Sequence, residues 1–245
     1  MTGMYVELVG VAGAGKTTVA RILMDEARAL EVPIRTRDVV GKSFWFRVRI
    51  IYTIVMIIVS TPEVLSLYRV LVRQKYANTP YIRKTIRDLV TRMIIDTAVV
   101  RCLLSRSPEF LVNDEGLLGK LVSLSILADV TPPRLQSLVK KLLPKPVMLV
   151  YVKVPSLLAL NRERARDVEL PFFNGLTDDL KETFFDEAVD AYAELASTEI
   201  LIMPRVDTLF IDNNGTYDNL IAEVRPVAER LHALISSDQN KGFSL

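Results

Sequence analysis

Short, nearly unbroken apolar runs alternate along this chain with longer segments whose apolar residues recur at helical spacing. The runs are Met4–Val9, Ile34–Val40, Glu109–Asn113, Val147–Lys153 and Thr208–Asp212. Strands buried on both faces read this way, because crossover helices cover both sides of a parallel sheet. The segments between them predict helices over Lys16–Leu30, Ser43–Val59, Pro62–Tyr76, Thr79–Arg106, Gly116–Leu127, Pro132–Leu143, Ser156–Arg166, Thr177–Ser197 and Tyr217–Ile235. Pro33, Pro108, Pro146 and the Asn213-Asn214-Gly215 turn fall at the boundaries, where chain-breaking residues belong. The pattern predicts one α/β domain spanning the chain, with a parallel sheet between helical layers.

One connection is far longer than a crossover needs. From Val40 to Glu109 the chain is mostly helical, and this insertion, residues 41–107, lies beyond the carboxyl ends of the strands. Open α/β sheets bind their ligands there, so the insertion is where a second substrate is expected. It contains the most apolar window of the chain, Ile50–Val59, which stops after ten residues at Ser60-Thr61-Pro62. A membrane span takes about 20 apolar residues. The window therefore reads as a helix of the core or of a dimer interface, or as a surface meeting lipid or an apolar substrate.

The chemistry begins where the first strand ends. Gly10–Thr17 reads Gly-Val-Ala-Gly-Ala-Gly-Lys-Thr, the phosphate-loop pattern G-x-x-x-x-G-K-[ST], placed after a strand and before a helix as that motif requires. Gly10, Gly13 and Gly15, with Ala14 between them, let backbone N–H groups turn toward phosphates at the positive end of the following helix. Lys16 supplies a charge to the transferring phosphoryl group, and Thr17 offers its hydroxyl to Mg²⁺. Thr18 adds a hydroxyl toward the α-phosphate. The ligands implied are a nucleoside triphosphate and Mg²⁺.

Three further clusters follow later strands. The third strand runs into Asp114-Glu115-Gly116, an acidic pair of Walker B character. Asp114 would hold the metal shell, while Glu115 would polarise water or touch an acceptor. The second strand ends Thr36-Arg37-Asp38. There Asp38 is placed to accept a hydroxyl proton, and Arg37 to fork onto an anionic acceptor. After the fourth strand, Arg162 and Arg166 stand four apart on one helix face. They are suited to neutralise charge as it shifts during phosphoryl transfer.

These segments together resemble the thymidylate kinase-like branch of the nucleoside-monophosphate kinases. The resemblance rests on Gly10–Thr18, Thr36-Arg37-Asp38, Asp114-Glu115-Gly116, Tyr151–Arg166 and the late strand Leu209–Asp212, and covers roughly two-thirds of the chain. It implies a P-loop NTPase three-layer fold with five parallel strands, a helical acceptor-binding insertion and an arginine-bearing lid over residues 162–176. It implies Mg-ATP as donor to a nucleotide, nucleoside or sugar-type acceptor. Lys16, Arg162 and Arg166 would then be donor-side, with Asp38 and Asp114 beside the acceptor and metal. The chain departs from that family where Val39-Val40-Gly41 replaces its Pro-Gly-Gly, and where Glu115 replaces the arginine that usually follows the third-strand acid.

Composition trims the alternatives. Cys102 is the only cysteine and His232 the only histidine, which excludes a disulfide framework and a Cys/His metal site and fits a reducing cytoplasm. With the first strand at the N-terminus, a leader peptide is not expected. The net charge of +2 hides an asymmetry: nine cations face two acids between Arg69 and Arg106, and ten acids face Lys181 between Asp167 and Glu199. Such patches steer anionic ligands or pair with each other. The basic stretch lacks interleaved aromatics, which argues against nucleic acid. The partners expected are a small-molecule phosphoryl acceptor, with a homodimer and a peripheral membrane contact left open. The rival readings are an ATPase switch acting on a protein partner and a membrane-surface adaptor that binds nucleotide without turnover.

Overall fold

The structure is a computed structural model, and it describes residues 4–36, 44–79, 81–106, 109–142, 147–165, 176–197 and 207–241. Five strands form the sheet: β1 (Tyr5–Val9), β2 (Ile34–Thr36), β3 (Phe110–Asn113), β4 (Val147–Lys153) and β5 (Asp207–Asp212). Their order is β2-β3-β1-β4-β5, every pairing parallel. The chain leaves β1 toward one edge and later returns to build the other. This reversal opens a crevice beyond the carboxyl ends of β1 and β3, where ligands of such sheets bind. Every residue of β1 is buried, as a central strand covered on both faces must be.

Helices α1 (Lys16–Ala29) and α9 (Tyr217–Lys241) pack against each other. Arg225 of α9 is bonded to Glu26 of α1 at 3.0 Å. A second set comprises α4 (Ile82–Leu104), α5 (Leu117–Leu127) and α8 (Asp178–Ser197), with α2 (Phe44–Ser60) packed on α4. The remaining helices are the single turn α3 (Glu63–Ser66), α6 (Pro132–Leu142) and α7 (Ser156–Arg164). Side chains of β1 sort accordingly. Glu7 reaches the start of α5, and Tyr5 bonds Asn113 of β3.

Two sequence expectations need correction. The helix expected over Pro62–Tyr76 is broken. After α3 and a 3₁₀ turn at Leu67–Arg69, Val70 is extended, and Val72 forms an isolated antiparallel bridge with Ala128. The backbone of that segment is spent on the end of α5, since Arg73 N–H donates to Leu127 O and Asp129 N–H to Leu71 O. Tertiary pairing has overridden local helical spacing. Of the readings left open for the helical window Ile50–Val59, the core helix is the one that fails. Only Phe46 and Ile57 of α2 are buried. His232 lies exposed on α9.

Candidate active site

The loop joining β1 to α1 is shaped by its glycines. Gly10, Gly13 and Gly15 all have positive φ. At Gly13 the constraint is double, because φ is +74° and a Cβ would lie 2.2 Å from the carbonyl oxygen of Ala159 on α7. The loop is thus pressed against α7 by backbone contact. Ala14 is fully buried, its N–H donating to Val11 O and its carbonyl accepting from Asn213 Nδ2 at 2.7 Å. Gly15, the N-cap residue of α1, has no side chain to cap the helix. Its first-turn N–H groups and positive dipole end therefore face the loop's concavity, the arrangement that suits a phosphate.

Lys16 donates to the carbonyls of Gly10 and Val11, each at 2.8 Å, so its ammonium spans the mouth of the loop. The neighbouring Thr17 is exposed, and its Oγ1 donates to Asp114 Oδ2 at 2.7 Å. These two residues, ninety-seven positions apart, are the pair expected from sequence to hold the metal. Both offer oxygen, and Mg²⁺ is commonly held by one or two such groups plus substrate phosphates. The donor set fits that ion. Thr18, half-buried on α1, follows directly.

Beside this pair lies an open cleft of about 810 Å³, lined by Thr17, Arg21, Arg28, Thr36, Asp114 and Glu115 among others. Glu115 is exposed there. Thr36, the last residue of β2, brings the second strand's end to the cleft; Arg37 and Asp38 lie outside the described residues. A second cavity of about 390 Å³ sits between α5, α6 and α8, but it shares no lining residue with the phosphate loop. The cleft at Asp114 is the one that carries the expected chemistry.

On the opposite flank, half-buried Arg162 of α7 donates from Nη2 to Asn213 O at 3.2 Å. Arg166 lies outside the described residues. Arg164 instead ties α7 to α8 through Asp178 at 3.2 Å and Glu182 at 3.8 Å, so part of the acidic segment is bound to its own neighbourhood.

No family model and no characterised protein matches the chain by sequence. By structure it is similar to a deoxyadenosine kinase from M. mycoides with bound dATP, at 12% identity over 93% of this chain and 98% of that one, with a TM-score of 0.50. A shikimate kinase from Acinetobacter baumannii in complex with shikimate aligns at 19% identity over 97% and 94%, with a TM-score of 0.43. A gluconokinase from Sinorhizobium meliloti 1021 aligns at 12% over 97% of each chain, with a TM-score of 0.41. The first likeness, with the loop and the parallel sheet, settles the architecture. The fold is that of the P-loop NTPases.

Within that fold, the turn carrying Asp114 rests on a buried polar network that the sequence reading passed over. Asn113 closes the turn by accepting the Glu115 N–H at 3.2 Å, while its amide donates to Tyr5 Oη at 3.0 Å. Glu7, fully buried in β1, accepts the Leu118 N–H at 2.6 Å and so caps α5 from the neighbouring strand. The fit is close: a Cβ on Gly116 would sit 2.1 Å from the Glu7 carboxylate. Burial pushes the Glu7 carboxyl up to about 7, against the opposing pull of the Leu118 N–H. The same burial, with the nearby Glu7 charge, raises the Tyr5 hydroxyl well above its ordinary value. Lys120, one turn into α5, pairs with buried Asp96 of α4 at 2.7 Å and donates to the carbonyls of Glu115 and Gly116. Asp114 is aimed at Thr17 by a turn fixed from below. The available signal was simple: Glu7, Asp96 and Lys120 are lone charges within apolar runs, and such charges survive burial only when paired or capped.

Proposed function

We propose that this protein is an ATP- and Mg²⁺-dependent kinase that transfers the γ-phosphoryl group to a small molecule bearing a hydroxyl or phosphate. The observation that carries the reading is the Thr17 Oγ1–Asp114 Oδ2 contact of 2.7 Å, set between a glycine-shaped phosphate loop and an open cleft. The fold shared with a deoxyadenosine kinase supports it.

The loop's N–H groups and the α1 dipole bind and orient the triphosphate. Lys16 exchanges its loop carbonyls for phosphate oxygens and stabilises charge as it moves toward the leaving group. Thr17 and Asp114 would hold Mg²⁺, which when bound neutralises charge on the phosphates. Arg162, anchored beside the loop, adds a guanidinium on the donor side, with Arg166 assigned the same role by its helical spacing. On the acceptor side, Glu115 and, from sequence, Arg37 and Asp38 engage the hydroxyl or phosphate, and a carboxylate there takes the hydroxyl proton. Little covalent chemistry falls to the protein, so positioning and charge stabilisation do most of the catalysis. The thymidylate kinase-like subtype, a cytoplasmic location and the division into an acceptor-binding insertion and a lid belong to this same proposal.

The test is ATP turnover with a panel of nucleoside, nucleotide and sugar acceptors and without any. Acceptor-dependent ADP release that Lys16→Ala lowers at least about a hundredfold, with an unchanged melting temperature, supports the reading. Full activity in that variant refutes it. Hydrolysis indifferent to every acceptor would transfer the site to an ATPase switch.

A further inference from the structure

We infer that the outer face of α2 is a docking surface for an anionic lipid bilayer, on which the protein lies peripherally with α2 in the membrane plane. Eight large apolar side chains of this one helix are exposed: Phe44, Trp45, Val48, Ile51, Tyr52, Val55, Met56 and Val59. All but Trp45 fall at i, i+4, i+7, i+8, i+11, i+12 and i+15, which is a single stripe on a helix. Phe44 at 71% and Val59 at 70% exposure mark its two ends. The stripe is about 23 Å long at 1.5 Å per residue. The opposite side of α2 is satisfied, since Phe46 and Ile57 are buried and Thr53 lies 3.3 Å from Cys102 Sγ on α4. A face this apolar on a soluble surface marks an interaction site.

Charge and length decide the occupant. α2 contains no acidic residue. Arg47 and Arg49 are exposed at its start, and exposed Arg106 stacks 4.7 Å over Phe46 beside them. The Arg49–Ser105 bond of 2.8 Å and the Thr53–Cys102 contact make α4 antiparallel to α2. That register sets exposed Ile95 level with the end of the stripe. Beyond it α4 exposes Arg92, Arg87, Lys84 and Arg83, with Asp88 the one exposed acid among them. Cations thus bracket the apolar stripe at both ends, and Trp45 and Tyr52 are residues suited to a headgroup boundary. A second copy fits poorly, because antiparallel pairing of two such faces sets Arg47 and Arg49 of one against the α4 cations of the other. Among the described residues no single helix is long and apolar enough to cross a membrane, and α2 is bent by 82° from the Glu63–Arg69 segment that follows it. The helix therefore lies on the bilayer.

The test uses the full chain and its only tryptophan, Trp45. Trp45 emission is recorded with phosphatidylcholine vesicles, with and without about 30% phosphatidylglycerol, at about 0.1 and 0.5 M salt. Anionic vesicles should shift the emission to the blue and brominated lipid should quench it, both retreating at high salt. Ile51→Glu with Val55→Glu should weaken binding more than tenfold. Arg47→Gln and Arg92→Gln should each weaken it about fivefold, the value of one cation near an anionic surface. All four positions are exposed, and matching circular dichroism melts verify that the variants fold. Emission that ignores vesicles, or binding that ignores the Ile51/Val55 change, overturns the proposal. So does a vesicle-independent blue shift that tracks dimerisation in sedimentation equilibrium, which would give the face to a second copy.

Discussion

Replacing Lys120 with methionine should destabilise this protein more than any single change on its surface. The ammonium is paired with Asp96 at 2.7 Å, with side-chain exposures of only 11% and 7%. It also holds the carbonyls of Glu115 and Gly116. Removing one partner of a buried pair leaves a carboxylate without its cation, which costs about 3–5 kcal/mol. For a domain of this size that corresponds to a drop of roughly 6–20 °C in melting temperature. The companion Asp96→Leu change alone should cost a similar amount, because it strands the cation. The double variant, an apolar contact of similar volume, should lose no more than about 2 kcal/mol. Urea unfolding of all four proteins closes the cycle and yields a coupling of several kcal/mol. A Lys120→Met loss under about 1 kcal/mol, or additive losses in the double variant, would refute a buried ion pair that organises the Asp114 turn.

The Glu7 carboxyl gives the fold a pH dependence of definite sign. Its folded value of about 7 lies above the 4.5 of an unfolded glutamate, so the folded state holds the proton more tightly between those values. The contribution is fully present below pH 4.5 and is lost as pH rises through 7, by roughly 3 kcal/mol at most. Glu7→Gln keeps an oxygen for the Leu118 N–H without the charge. Its melting temperature should fall less between pH 5 and pH 8 than the parent's, and parallel curves would dismiss the account. Gly13→Ala combines left-handed backbone, costing about 1–2 kcal/mol, with a Cβ 2.2 Å from the Ala159 carbonyl. Calorimetry should show at least tenfold weaker ATP binding, and unaltered affinity would show that the loop tolerates a different path.

Much of the architecture could be read from the chain because the central strands β1, β3 and β4 are covered on both sides and so are mostly apolar. The positions of the phosphate loop and Asp114 in the fold could be read for a different reason, since local motifs place them at strand ends. The segment after Pro62 misled because Val70 to Arg73 pair with the end of α5, a contact that no local pattern encodes. The Ile50–Val59 window was legible as a helix but not as an exposed one, because apolar composition is the same for core and for docking face. Asn113 interrupts an apolar strand, yet it makes the turn that presents Asp114. Glu7, Lys120 and Asp96 were visible one by one as isolated charges. That they share one network depends on β1, α4 and α5 meeting in space, which spacing does not reveal.

The clasp that Asn213 places on Ala14 joins residues 199 positions apart, and Arg162 grips the same asparagine from α7. During synthesis the glycine loop is made well before the strand that delivers Asn213. At about 5–20 residues per second the interval is roughly 10–40 s. Through that time the phosphate loop lacks the Asn213 contact on the Ala14 carbonyl. The loop geometry in which Asn213 holds Ala14 therefore forms only once β5 has been made and has docked beside β4.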